Sequence, residues 1–354
     1  MAYGFTIRPD GWDKDIDIST SSRIISSLGR YPIVGTAGTG DNVTITTAVS
    51  PAASTGGLSL IIPNAAVEVQ QLANNPGINV MRTCSVSGGT LTTTASVVFG
   101  VGRFNVNVFE IPAATTGTYG IAMYDSVDFT AITDVSRFGY VVYRDTITVN
   151  GSWSIPSSIQ NISQCVVFAR WNNTSTPLWF DRDTNTIQTY TGFSSVNGST
   201  QGGTVSNVQI VIVATGFTPD PPSSGYGVVI RNASNVITYS SKYPPVIWRG
   251  GMYSFSYYRE NDTGSPSKIS WVAPSGNVAL PMVPLGCYGF QCGDYSTSGT
   301  YPQRVALYSG LLMTGNNVST YRAKPAGGSI YYYSYPVRAQ MGLAIPCIDA
   351  ADYF

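Results

Sequence analysis

Apolar and polar residues alternate with period two along much of this chain. The clearest runs are Asn105-Val106-Asn107-Val108-Phe109-Glu110-Ile111 and Val208-Gln209-Ile210-Val211-Ile212-Val213. In a strand this alternation sends successive side chains to opposite faces. Tyr140-Val141-Val142-Tyr143 and Ile330-Tyr331-Tyr332-Tyr333 add β-branched and aromatic runs, which suit a pleated surface. Clusters of Gly, Pro, Asn and Ser interrupt the pattern every 8 to 15 residues or so, a spacing of about the kind found in sandwiches and barrels. The 37 Gly and 21 Pro leave little room for long helices. Ala65 to Leu72 is the best helical candidate and reads equally well as a strand. The chain is expected to be all-β.

A compound pattern occurs three times. Tyr3-Gly4-Phe5-Thr6-Ile7-Arg8, Tyr119-Gly120-Ile121-Ala122-Met123-Tyr124 and Tyr226-Gly227-Val228-Val229-Ile230-Arg231 each precede a turn cluster and a second short strand. Each copy then closes on Ser, a basic residue and an apolar one: Ser22-Arg23-Ile24, Ser136-Arg137-Phe138 and Ser241-Lys242-Tyr243. The unit reads as a β-hairpin. In the third copy Val228 and Ile230 share a face, Asn232-Ala233-Ser234-Asn235 turns the chain, and Val236 to Tyr239 returns. The first copy turns at Pro9-Asp10-Gly11, and the Gly after each Tyr marks a close backbone approach or a positive φ.

These repeats predict three consecutive β-sandwich-like modules, at 1–116, 117–223 and 224–354, joined by short Pro/Gly/Thr-rich linkers. Pro112 to Gly117 and Thr218 to Ser224 are the linkers, each preceded by a long alternating strand. Modules of this size can bury their own cores, so the expectation is beads in series.

Charge narrows the function. Only 11% of the 354 residues are charged, against about 25% in an average soluble chain, so the surface must be built from Ser, Thr, Asn, Gly and Tyr. Net charge is zero with no basic run, which argues against a nucleic-acid partner. Absence of like-charge repulsion favours association, and a homo-oligomer is expected. The five cysteines, Cys84, Cys165, Cys287, Cys292 and Cys347, are odd in number and contain no C-x-x-C pair. With no His in the chain, the usual zinc sets are missing, and buried free thiols are expected. The N-terminus shows no basic-then-apolar signal pattern and no run reaches the ~18 apolar residues of a membrane span. Synthesis in a cytoplasm without membrane insertion follows as an expectation.

The opening Met1-Ala2-Tyr3-Gly4-Phe5-Thr6-Ile7-Arg8, its turn and the Ser-Arg ending of its hairpin resemble a family of tail-tip and tail-fibre-associated proteins of long-tailed bacteriophages. Tyr226-Gly227-Val228-Val229-Ile230-Arg231-Asn232-Ala233, continuing to Thr238-Tyr239-Ser240-Ser241, resembles the same family's hairpin. The resemblance covers about 25 residues per copy. It implies a virion component of the distal tail, with other tail proteins of the tip or central fibre as partners and a trimer as the favoured state. It carries over no catalytic residue. Module one, holding the segment most like the family, is expected to anchor on the tail, and module three to face outward.

Candidate chemistry is sparse. Glu occurs only at Glu68, Glu110 and Glu260, and without His there is no Ser-His-Asp or Cys-His nucleophile and no common proton shuttle near neutral pH. Asp181 and Asp183 stand too near each other on one strand face to flank a bound glycoside. Asp13, Asp15 and Asp17 project from one strand face and invite calcium. The Gly and Glu of a calcium loop do not follow, and a solvated face meeting Arg8 or Lys14 is preferred. No metal, cofactor or enzymatic activity is expected. Exposed rings bind sugars, and a receptor or interface patch is expected at Tyr331, Tyr333, Tyr335, Trp248 and Trp271. A strand whose rings fill a core or a subunit interface is the competing reading.

The expected function is a non-enzymatic structural component of a phage tail. The alternatives are a receptor-binding protein of the same particle, reading a bacterial surface glycan or protein with its C-terminal module, and a secreted adhesin or carbohydrate-binding protein.

Overall fold

The computed structural model describes residues 4–19, 23–35, 38–49, 58–70, 77–98, 100–111, 120–121, 132–133, 139–194, 198–223, 227–260, 268–292, 303–331 and 338–354. Strands dominate, and the only helical turns among the described residues are two short 3-10 turns. The fold is all-β and made of several modules. The described part of the helical candidate, Ala65 to Gln70, is strand interrupted by a bend at Ala66.

The first segment holds β1 (Gly4–Ile7), β2 (Ile16–Ser19), β3 (Arg23–Ile24), β4 (Ser26–Val34), β5 (Gly40–Ala48), β6 (Leu58–Ala65), β7 (Val67–Gln70), β8 (Gly77–Ser87), β9 (Thr90–Val97) and β10 (Arg103–Ile111). Strands β1 and β2 form a separate hairpin, β3 pairs outside the segment, and the rest build two sheets, β4-β10-β6 and β5-β9-β8-β7.

The second segment holds β11 (Gly120–Ile121), β12 (Ile132–Thr133), β13 (Tyr140–Asn150), β14 (Ser152–Ser154), β15 (Val166–Arg170), β16 (Asn173–Asp181), β17 (Thr186–Ser194), β18 (Gly198–Gln201) and β19 (Thr204–Ala214). It repeats the plan: a β11-β12 hairpin, then β13-β19-β15 and β14-β17-β16.

The third segment begins with β20 (Val229–Arg231), β21 (Ile237–Ser240), β22 (Ile247–Trp248), β23 (Met252–Phe255), β24 (Tyr258–Glu260), β25 (Ile269–Ser270), β26 (Val272–Ser275) and β27 (Pro281–Pro284). It ends with β28 (Gly289–Cys292), β29 (Gln303–Thr314), β30 (Asn317–Tyr331), β31 (Arg338–Gln340), β32 (Leu343–Pro346) and β33 (Ile348–Asp349). Here β20 and β21 are the hairpin. The last strand is split, so β32 pairs β23 while β33 pairs β27, and β25-β30-β29-β28 is the second sheet.

One strand order is thus used three times. In each segment the last strand lies between the first and a middle one, and a long hairpin forms the facing sheet. Inner-face residues of both sheets share one apolar cluster, for example Ile61, Val106, Met81 and Leu91 in the first segment.

The segments are not separate beads. Alternation along β10 sends Val106 and Val108 into its own sandwich and Phe109 and Ile111 out of the opposite face. Strand β19 does the same with Ile210 and Ile212 against Val211 and Val213. The outward faces of all three segments meet in a second buried cluster. At its centre three cross-strand pairs recur: Leu60 with Phe109, Phe168 with Val211, and Met282 with Ile348. All six side chains are buried, and burying one of this size contributes roughly 1.5–3 kcal/mol. This cluster is the hub of the molecule.

Three backbone hydrogen bonds close the hub into a ring. Ile25 N–H donates to Val246 O at 3.2 Å, Val246 N–H to Gly139 O at 2.9 Å, and Gly139 N–H to Ile25 O at 3.1 Å. Each residue follows its segment's hairpin, so the three segments stand around a pseudo-threefold axis. Gly139 fits closely there, because a Cβ on it would sit 3.1 Å from Val213 Cγ1 and 3.4 Å from Val246 Cγ2, so those side chains would have to give way. Further pairing crosses segment boundaries: β3 with β22, β15 with β27, and β16 with β29. Cys287 N–H donates to Asn64 O at 3.1 Å, tying the third segment to the first.

Candidate functional site

The first and third hairpins lie across seams between segments, at the hub end. In the turn between β1 and β2, Trp12 meets Tyr353 edge-on, with centroids 6.5 Å apart. The Arg144 guanidinium lies over the Trp12 ring at 4.1 Å, a favourable cation–π distance. Arg144 also donates to Asp13 and to the Tyr353 carbonyl, and Lys14 donates to the Ala351 and Phe354 carbonyls. The first hairpin therefore clamps the first strand of segment two to the end of segment three.

The third hairpin does the equivalent one step around the ring. Tyr140 Oη donates to Thr238 O at 2.6 Å, and Tyr140, Phe217 and Tyr243 form an aromatic cluster with centroids 5.6 to 6.2 Å apart. This clamp joins the third hairpin to both the start and the end of segment two. Its turn is set by Asn232, whose Oδ1 accepts from the N–H groups of Ser234 and Val236 at 3.0 Å each. Gly227, after the Tyr of the repeat, has Pro222 so near that a Cβ would lie 2.3 Å from its Cγ. Close approach is the reason for glycine there. Tyr3, Tyr119 and Tyr226, with the Ser136-Arg137-Phe138 ending, lie outside the described residues.

The two seams are packed differently. Trp12 fills the first. The other holds a cleft of about 420 Å³, lined among others by Leu28, Tyr140, Gln164, Phe217, Val236 and Thr238. Among the described residues no charged side chain lines it, and Val236 at its rim is 43% exposed. The Thr218-to-Ser223 part of the expected linker is held in place, since Asp10 accepts from Ser223 N–H at 2.7 Å and from its hydroxyl at 2.6 Å.

The carboxylates singled out in the sequence have structural partners. Arg8 Nε donates to Asp15 at 2.5 Å, and Asp13 meets Arg144. These arginines hold both acids below the usual carboxylate range. Asp17 lies in β2 and its side chain is outside the description. Asp181 ends β16 and is buried. Burial alone would raise its pKa, but a 2.7 Å bond from Lys324 and backbone N–H donors outweigh it and hold the acid low. Asp183 N–H donates to Asp181 Oδ1 at 3.1 Å, the bond of a tight turn. Among the described residues no group of three His, Cys, Asp or Glu side chains is placed to hold a metal ion, and no helix is long and apolar enough to cross a membrane.

All five cysteines are free and buried. Burial pushes the Cys84 thiol up to about 11 and Cys287 and Cys347 up to about 12, so these stay protonated and unreactive at neutral pH. Native protein at pH 8 is expected to give almost no reaction with a thiol reagent such as DTNB, and five equivalents on unfolding in denaturant. Rapid titration of one or more thiols in the native state would contradict their placement.

Two of the five residues of the expected aromatic patch, Trp248 and Trp271, are described with their side chains. Trp248 is 5% exposed in the hub, its indole N–H donating to Gly251 O at 2.9 Å. Trp271 is 5% exposed inside the third sandwich, stacked on Phe255 at 4.4 Å with its N–H on Gln340 at 3.3 Å. Both are core residues and offer no ring to a receptor. Tyr331 ends strand β30, and Tyr333 and Tyr335 lie outside the described residues. What sequence reasoning missed is the hub. Its signal was present in Leu60-Ile61-Ile62 and Val166-Val167-Phe168, unbroken apolar runs of the kind a strand buried on both faces requires.

A triplicated antiparallel β-sandwich, closed around its own axis, is the class of protein these features define. Residues 4–335 match the family of unknown function DUF6453, and the chain belongs to that family. No curated protein and no solved structure matches it.

Proposed function

We propose that this chain is a non-enzymatic structural component of a bacteriophage distal tail, in the tail tip or tail fibre. The observation that carries the reading is where the family-like segments fall. The hairpins that resemble tail-tip and tail-fibre proteins are the elements that clamp the sandwiches around the hub, so the resemblance sits on the parts that build the architecture. The low-charge surface of Ser, Thr, Asn and Tyr supports a building material, and so do carboxylates and thiols engaged in packing. Its partners in this reading are other tail proteins. In this reading the first segment anchors on the tail and the third faces outward, the two being tied together at the Asn64–Cys287 contact.

The test is localisation in particles from the phage that encodes the chain. Gradient-purified virions should contain it, and antibody-gold labelling should mark the distal end of the tail. A chain found only in the soluble lysate, and absent from washed particles, would overturn the proposal.

A further inference from the structure

We infer that one copy of this chain is a complete threefold unit, which works as a single copy against a partner assembly of three identical subunits. The inference rests on the hub alone and does not depend on where the chain works.

A homotrimer buries its axis by having three chains each present the same patch. Here one chain presents three patches. Leu60 with Phe109, Phe168 with Val211 and Met282 with Ile348 occupy equivalent places around the axis. The ring of hydrogen bonds through Ile25, Val246 and Gly139 is closed by backbone from a single chain. Among the described residues, the ring at this axis is closed without a second copy.

The three places are also fitted to one another and are not interchangeable. Ile25 and Val246 bring side chains to the ring, and Gly139 supplies the space: a Cβ there would press on Val213 and Val246. Three copies of any one segment would bring three large side chains, or none, to the same triangle. Such heterotypic fit favours the order a single chain supplies over exchange between chains. The seams differ likewise, one sealed by Trp12 under Arg144 and one left as an open cleft. Backbone symmetry with unlike side chains matches a threefold partner in geometry while fixing one orientation on it. A partner of three identical subunits repeats one surface three times around a closed axis, which is the arrangement this backbone offers, and the inferred partner is therefore counted in threes for each copy of this chain.

The test uses the full-length chain. Sedimentation equilibrium and native mass spectrometry from about 1 to 100 μM should return the chain mass of 37.7 kDa, and the melting temperature should not move across that range, since a unimolecular fold has no mass-action term. A species of three times that mass, or a melting temperature that climbs with concentration, would overturn the inference. In the assembly from which the native chain is purified, one copy per three partner subunits is expected, and equal copy numbers would overturn it as well.

Discussion

Replacing Phe168 by Ala is expected to cost about 3–5 kcal/mol, the range for an aromatic ring removed from a close-packed core. The whole chain, and not the second segment alone, should bear that loss. Phe168 is 2% exposed and sits in the hub with side chains from all three segments, so the cavity it leaves lies between segments. Leu60→Ala and Met282→Ala, at the equivalent places, should each cost about 2–5 kcal/mol by the same reasoning. Denaturant unfolding followed by tryptophan fluorescence and by far-UV circular dichroism checks this. A shared hub predicts one transition whose midpoint falls in all three variants, with coincident probes. Three beads in series would instead show separate transitions, with only one displaced in each variant.

Arg249→Ala should cost about 3–5 kcal/mol at pH 7, the usual penalty for stripping the partner from a buried charge. Arg249 reaches Asp352 with Nε at 3.0 Å to both carboxylate oxygens and with Nη2 at 2.6 Å. The side chains are only 18% and 11% exposed, which separates this pair from surface ion pairs worth about 0–1 kcal/mol. Asp352 belongs to the C-terminal turn that the first hairpin grips, so its loss should loosen that seam. The pH dependence has a definite sign. Burial raises the Asp352 pKa in the folded protein, Arg249 works against that, and the net shift remains upward. A raised folded value means this group's stability is greatest below its unfolded pKa and is lost as pH rises through the folded one. Without Arg249 only the weaker pull of Lys14 opposes the upward shift from burial and from Asp349. The variant's penalty should therefore be largest at neutral pH and shrink toward about pH 4, where the carboxyl is neutral. A penalty that stays constant between pH 7 and pH 4 would show that Asp352 is not the cause.

Local structure was legible in the sequence wherever one physical signal decided it. Alternation at Asn105 to Ile111 and at Val208 to Val213 marked the two strands that end the first two segments. The Tyr-Gly repeats marked hairpins that the structure has at β1-β2, β11-β12 and β20-β21. The ring they lead into was hidden for a specific reason. Ile25 and Gly139 each lie three residues beyond the Ser of their repeat, but Val246 lies five beyond Ser241, because Pro244 and Pro245 intervene. Equivalence in space is therefore offset in the sequence. The tryptophans failed differently: Trp248 and Trp271 have rings that suit a sugar platform or a core equally well, and only Tyr253, Phe255 and Tyr288 around Trp271 and the hub cluster around Trp248 decide for core. None of those neighbours is fixed by local pattern. Partnerships such as Asp13 with Arg144 and Asp181 with Lys324 span 131 and 143 residues, beyond what strand periodicity can register.

The most direct test of the closed threefold hub is amide hydrogen exchange at the three residues of its ring. The N–H groups of Ile25, Gly139 and Val246 each donate to the next segment's carbonyl, so no one of them can open without parting two segments. All three should exchange only through global unfolding, with equal protection, and Phe168→Ala should lower that protection equally at all three. Exchange at any one of them through local opening, at a rate untouched by Phe168→Ala, would contradict a hub that the three segments share.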